Sequence, residues 1–113
     1  MAQIGLIETF TASHGKNLHE HNFKVEVVLE GSINERGYAG GVDHYKVLEK
    51  LKQITKELEN KNLKEFLTSQ GYKSSGNESI ASYFLKNLTE FPIKFVKIWE
   101  TPNRYAVVYA NEI

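Results

Sequence analysis

His19-Glu20-His21-Asn22-Phe23-Lys24-Val25-Glu26-Val27-Val28-Leu29-Glu30 alternates in character at nearly every step. His19, His21, Phe23, Val25, Val27 and Leu29 fall on one side of an extended chain, and Glu20, Asn22, Lys24, Glu26 and Glu30 fall on the other. That period of two is the mark of a β-strand with one face buried. The preceding run carries Ile4, Leu6, Phe10 and Ala12 in one phase with His14, Glu8 being the exception, so residues 4–12 read as a second strand. The short loop Gly15 to Leu18 joins the two as an antiparallel hairpin spanning 4–12 and 20–30. Three imidazoles, His14, His19 and His21, then share the apolar face of neighbouring strands.

Three neutral imidazoles around an open fourth position describe a catalytic zinc site, because zinc takes nitrogen ligands tetrahedrally and keeps one place for water or substrate. A His-x-His pair on a strand also serves purely structural roles, and spacing alone leaves both readings open. The third histidine, in phase on the adjacent strand, strengthens the metal reading until it stands level with the structural one.

The 113 residues make one domain, with a surface-to-volume ratio that makes association plausible. Fourteen basic residues balance fourteen acidic ones, so nothing electrostatic recommends nucleic acid or an acidic membrane surface. There is no cysteine, which removes both a disulfide framework and the commonest strong nucleophile. No apolar run approaches the ~18 residues of a membrane span, and Met1-Ala2-Gln3-Ile4 lacks the pattern of a signal peptide, so a cytoplasmic location is expected.

Past the hairpin, Gly31 to Gly41 has turn composition and no expected stable structure of its own. Asp43 can cap a helix in which Val47, Leu51, Ile54 and Leu58 form one apolar stripe. Asn62 to Phe66 can add a short helical turn. Asn77 or Ser75 can cap a second helix carrying Ile80, Ala81, Phe84 and Leu88, which Pro92 ends. Lys94 to Thr101 alternates, with Val96, Ile98 and Glu100 on one side, and Tyr105 to Tyr109 returns after the turn Thr101-Pro102-Asn103-Arg104. The expected subunit is an α+β domain of order strand, strand, helix, helix, strand, strand, with a four-stranded antiparallel sheet and two helices on one face. Its two open edges are liable to pair with other chains, so a homo-oligomer closed into a barrel is expected.

Phe10-Thr11-Ala12-Ser13-His14, His19-Glu20-His21-Asn22-Phe23, Asp43, Leu58-Glu59-Asn60-Lys61-Asn62-Leu63, Glu78-Ser79-Ile80-Ala81 and Trp99-Glu100-Thr101 resemble, in that order, the motifs of the 6-pyruvoyl-tetrahydropterin synthase family. That family includes the 6-carboxy-tetrahydropterin synthase of the queuosine pathway. The resemblance implies a T-fold subunit, a hexamer of stacked rings with active sites between subunits, and zinc held by His14, His19 and His21. It places Glu100 on the family's pterin-anchoring glutamate, which grips adjacent N–H donors of the ring in bidentate fashion. Read from the residues alone, Glu100 is a strand-end surface charge. Glu78 falls on a second carboxylate linked to substrate binding, and serves equally as an acidic residue in a helix's first turn.

The departures from the pattern concern the proton chemistry. The family's cysteine between the first histidine and the His-x-His pair has no counterpart in Gly15-Lys16-Asn17-Leu18, nor does the glutamate that replaces it in a variant of the family. The aspartate and histidine before Asn-Leu correspond to Glu59 and Asn60, and an amide cannot relay a proton at neutral pH. Glu20 replaces the glycine of His-Gly-His and should point away from the metal by strand alternation. His44 stands where the family has phenylalanine and reads as a helix-start or surface residue. The family threonine is replaced in the region of Ser75, Gly76 and Asn77. The resemblance therefore implies a zinc-dependent lyase or synthase acting on a small-molecule reduced pterin such as 7,8-dihydroneopterin triphosphate, with Glu59 as the surviving acid–base candidate. A dihydroneopterin side-chain aldolase-type enzyme, a non-catalytic pterin or purine binding homologue, and a structural oligomer with a vestigial site are the alternatives.

Overall fold

The structure is a computed structural model, and it describes residues 1–112. Its strands are β1 (Ala2–His14), β2 (His19–Gly31), β3 (Ile93–Thr101) and β4 (Arg104–Tyr109), and its helices are α1 (His44–Leu58), α2 (Leu63–Ser69) and α3 (Asn77–Lys86), with a short 3-10 turn at Ala110–Glu112. The sheet runs β1-β2-β3-β4, antiparallel throughout. This is the α+β T-fold subunit expected, with both hairpins longer than the alternation marked out.

The alternating positions deliver the core. Phe10, Ala12, Phe23, Val25, Val27, Leu29, Val96 and Ile98 are buried on the sheet's inner face, where α1 and α2 pack on β1 and α3 packs on β3 and β4. Val47, Leu51, Ile54 and Leu58 are the buried stripe of α1, while Ile80, Ala81 and Phe84 are buried on α3. Phe10 stacks on Phe23 with ring centroids 5.3 Å apart and meets Phe84 at 5.7 Å. Burying such side chains is the main favourable term holding the layers together, at about 1.5–3 kcal/mol each.

Four local expectations are corrected. The turn at Asn62 to Phe66 is the start of a full helix, so three helices cover the face instead of two. Asn62 caps it by accepting from the Glu65 N–H at 3.2 Å. The α3 N-cap is Gly76, without a side-chain cap bond. Asn77 is the first helical residue, its side chain buried, and Ser75 is engaged elsewhere. Helix α3 ends at Lys86, before Leu88 and Pro92, because the Asn87 N–H caps the Tyr83 and Phe84 carbonyls and its amide donates to Tyr83 O at 2.8 Å. Finally, the Gly31–Gly41 segment is ordered locally. Asn34 Oδ1 accepts from the N–H groups of Arg36 and Tyr38, and Ile33 bridges Ala39. Asp43 caps α1 as expected, accepting from the Tyr45 N–H at 2.9 Å.

The segment after α1 returns along the outer edge of β1. Asn60 N–H donates to Thr11 O and Ser13 N–H to Lys61 O. Asn60 takes φ 61°, the left-handed turn that redirects the chain from helix to strand edge.

Candidate metal centre

The register of the first hairpin decides where the imidazoles go. His14 pairs with His19 and Ala12 with His21 across the four-residue turn, so the three rings stand on one face at the end of the sheet. Their centroids lie 4.6–5.3 Å apart with edge-on planes. Phe23 closes the inner side, its ring perpendicular to that of His14 at 4.9 Å.

Glu100 joins them from β3. Val96, Ile98 and Glu100 share the inner phase, and an irregularity in the β3–β4 ladder between Trp99 and Thr101 leaves Glu100 as the residue without a partner in register. Such a bulge re-aims a side chain at the end of a strand. The Glu100 side chain is only 12% exposed, and its Oε1 lies 2.9 Å from His14 Nε2, 3.5 Å from His21 Nε2 and 4.0 Å from His19 Nε2. Its Oε2 faces Arg104 Nε at 3.6 Å. One donor atom from each of His14, His19, His21 and Glu100 lies within 4.8 Å of all the others.

Backbone carbonyls set the tautomers of two of the rings. His14 Nδ1 donates to Ser75 O at 2.8 Å and His19 Nδ1 to Asn17 O at 2.6 Å. A carbonyl only accepts, so the proton sits on Nδ1 and the Nε2 lone pair faces the centre. This is the outer-shell arrangement that orients metal-ligating histidines. For His21, burial lowers the pKa below its ordinary value, Glu100 opposes that shift, and His19 and His14 add to it. A neutral imidazole is the form that coordinates metal.

The donor set fits a tetrahedral ion. Ligands at ~2.0–2.1 Å from such an ion stand about 3.3 Å from one another, and the three Oε1–Nε2 separations bracket that value. Nitrogen and oxygen donors of this kind suit zinc and other first-row divalent ions. The side chain of His14 is buried and that of His19 is 48% exposed, so the centre opens to solvent on the His19 side.

A model of the 6-pyruvoyl tetrahydropterin synthase family matches residues 6–111, nearly the whole chain. The chain belongs to the 6-pyruvoyl tetrahydropterin synthase family. Solved structures of similar fold include the Caenorhabditis elegans 6-pyruvoyl tetrahydropterin synthase, at TM-score 0.82 and 20% identity, covering 96% of this chain and 94% of that one. A Plasmodium vivax synthase with a catalytic glutamate replaced by alanine aligns at TM-score 0.73 and 19% identity over 95% and 96%. The Plasmodium falciparum synthase aligns at 0.71 and 18% over 95% and 96%. No curated protein sequence matches. Membership in the synthase family supports a tetrahydropterin-synthase-like function for a divergent chain.

The other residues singled out in the sequence are not among the four converging donors. Glu59 caps the C-terminal end of α1, and its Oε2 accepts from the Thr11 N–H at 3.1 Å on the outer edge of β1. Within one subunit it is not brought to the imidazoles. Glu78 lies in the first turn of α3. His44 begins α1 and packs edge-on against Tyr38, and Glu20 is exposed as alternation required. Sequence reasoning missed Ser75 and Asn17 as outer-shell acceptors. They act through backbone carbonyls, which leave no trace in residue type. It also missed Arg104 as the partner of Glu100, although their positions across a tight turn gave a usable signal. No helix among the described residues is long and apolar enough to cross a membrane.

Proposed function

We propose that this family member is a zinc-dependent lyase or synthase acting on a reduced pterin such as 7,8-dihydroneopterin triphosphate. The observation that carries the reading is the convergence of three Nε2 atoms with two tautomers fixed by carbonyls. His14, His19 and His21 hold the ion. When bound, zinc acts as a Lewis acid toward the hydroxyl or carbonyl groups of the pterin side chain and lowers the pKa of a bound water toward ~7.

Glu100 is the anchor for the pterin ring, whose adjacent N–H groups suit a carboxylate accepting through both oxygens. In the present arrangement Oε1 faces the imidazoles, so the carboxylate turns from the centre to the ring when the substrate enters. Arg104 Nε stands 3.6 Å from Oε2, on the side away from the imidazoles. Glu59 is the acid–base group. Its place on the outer edge of β1 supports a role toward the centre of a neighbouring subunit in a homohexamer with sites between chains. Glu78 is the second substrate-side carboxylate.

A second reading is favoured by one observation. The turn Gly15–Leu18 contains neither cysteine nor acid, so the chain can be a pterin-binding homologue without turnover. Incubating the zinc-loaded protein with 7,8-dihydroneopterin triphosphate and separating the products by chromatography decides the matter. Release of the triphosphate with an altered side chain, lost in His19→Ala, is the expected result. Tight binding without turnover identifies the second reading, and complete inertness of metal-loaded protein contradicts both.

A further inference from the structure

The carboxylate of Glu100 is claimed twice. Its Oε1 lies 2.9, 3.5 and 4.0 Å from the Nε2 atoms of His14, His21 and His19, while a pterin ring calls for both of its oxygens. A proton shared with His14 accounts for only one of the three contacts. One oxygen drawn toward three nitrogens is what a single cation among them produces, and the separations bracket the ~3.3 Å between ligands of a tetrahedral ion. Among the described residues no other histidine or carboxylate joins the group, and the Gly15–Leu18 turn carries neither cysteine nor acid. The Glu100 side chain is 12% exposed, and a carboxylate that deep needs a cation. Arg104, 3.6 Å from Oε2 with its own side chain 76% exposed, is a weak and screened partner.

We propose that Glu100 Oε1 is the fourth ligand of the resting centre, so that the ion and a pterin ring compete for one carboxylate. The pterin half rests on the function proposed above; the coordination does not. This competition decides which ligands the site accepts. A ring that draws both oxygens of Glu100 takes a ligand from the ion, and its apparent affinity is reduced by the fraction of chains in which the carboxylate is free. By linkage the same ring weakens the hold on the metal by an equal factor. A pterin whose side chain carries hydroxyl groups can offer the ion an oxygen in return and escapes that penalty. The site therefore selects against bare rings and for pterins with an oxygenated side chain, with no contact beyond those of Glu100 and the three imidazoles.

The test loads the metal-stripped, full-length protein with one equivalent of cobalt(II), whose visible bands report the number and kind of its ligands, and measures affinity against a competing chelator. Glu100→Gln should shift the bands and weaken binding by at least the ~tenfold that loss of an outer-shell partner carries, while the three imidazoles retain the ion at stoichiometric loading. Glu20→Gln, which removes an exposed charge between two of the histidines, should leave the bands in place and the affinity within about threefold. Bands unmoved by Glu100→Gln, or moved equally by Glu20→Gln, overturn the proposal. A second arm titrates 7,8-dihydropterin, which has no side chain, and 7,8-dihydroneopterin into zinc-loaded and metal-free protein. Zinc should weaken binding of the bare ring on the order of tenfold and should not weaken binding of 7,8-dihydroneopterin. A bare ring bound equally with and without zinc overturns the competition. Cobalt bands that depend on Glu100, with neither pterin bound, remove the function proposed above and leave Glu100 as a ligand.

Discussion

His14 Nε2 and Glu100 Oε1 face each other at 2.9 Å, although the proton that His14 gives to Ser75 O makes Nε2 an acceptor like the carboxylate oxygen. Two acceptors at that separation need a positive charge to share, supplied by a second proton on the ring or by a metal ion at the centre of the four donors.

Glu100→Gln should separate the two roles of this carboxylate. Three imidazoles remain to hold the ion, so metal content should persist. An amide presents one acceptor where the pterin edge needs two, and affinity for a reduced pterin should fall by on the order of tenfold or more. Equilibrium binding by pterin fluorescence alongside elemental analysis checks both halves.

Gly15→Ala should disturb the centre without touching a ligand. Gly15 sits at φ 94°, and a Cβ there would stand 2.8 Å from His19 Cε1 and 3.3 Å from His19 Nδ1. The ring must move off Asn17 O, so metal affinity measured against a competing chelator should drop on the order of tenfold. Left-handed strain should also lower stability by about 1 kcal/mol in chemical denaturation.

Tyr83→Phe tests how α3 is tied to α1. The largely buried Tyr83 hydroxyl donates to Glu57 Oε1 at 2.5 Å. Burial, with the Glu57 carboxylate, drives its pKa upward, so it remains a donor through the accessible pH range. Removing the hydroxyl should cost about 1 kcal/mol in denaturant unfolding and leave metal content unchanged.

Glu30 should give the fold an acid-side dependence. Hydrogen bonds from Gln3 and then Lys94, at 2.7 Å and 2.9 Å, hold its carboxyl below the usual value of 4.5. As pH falls, the unfolded chain takes up the proton first. The stabilisation is therefore present above 4.5 and is lost as pH falls through the lower folded value. The fall in thermal midpoint between about pH 5 and about pH 3 should be smaller in Glu30→Gln than in the natural chain.

What the sequence made legible was whatever depends on local period and short turns. The histidine face follows from alternation on two strands joined by a short turn, so the shared side of His14, His19 and His21 was legible, while the direct pairing of His14 with His19 is the register of the folded hairpin. Glu100 could be put in the right phase, but its arrival at the imidazoles depends on β3 pairing with β2 across about sixty residues and on an irregular ladder at Trp99. Neither follows from local pattern. Glu59 was singled out through the family resemblance alone, and the contact of its carboxylate with the Thr11 N–H, set by the chain's return along β1, could not be read from local pattern. Helix α2 was half seen because seven residues carry only two buried positions, too few to display a period.

Elemental analysis of the protein purified without added metal tests the central claim most directly. About one divalent transition ion per chain is expected, zinc foremost, with its loss in His19→Ala while the circular dichroism of the fold is retained. A natural chain free of transition metal, or a His19→Ala variant that keeps its full complement, would contradict it.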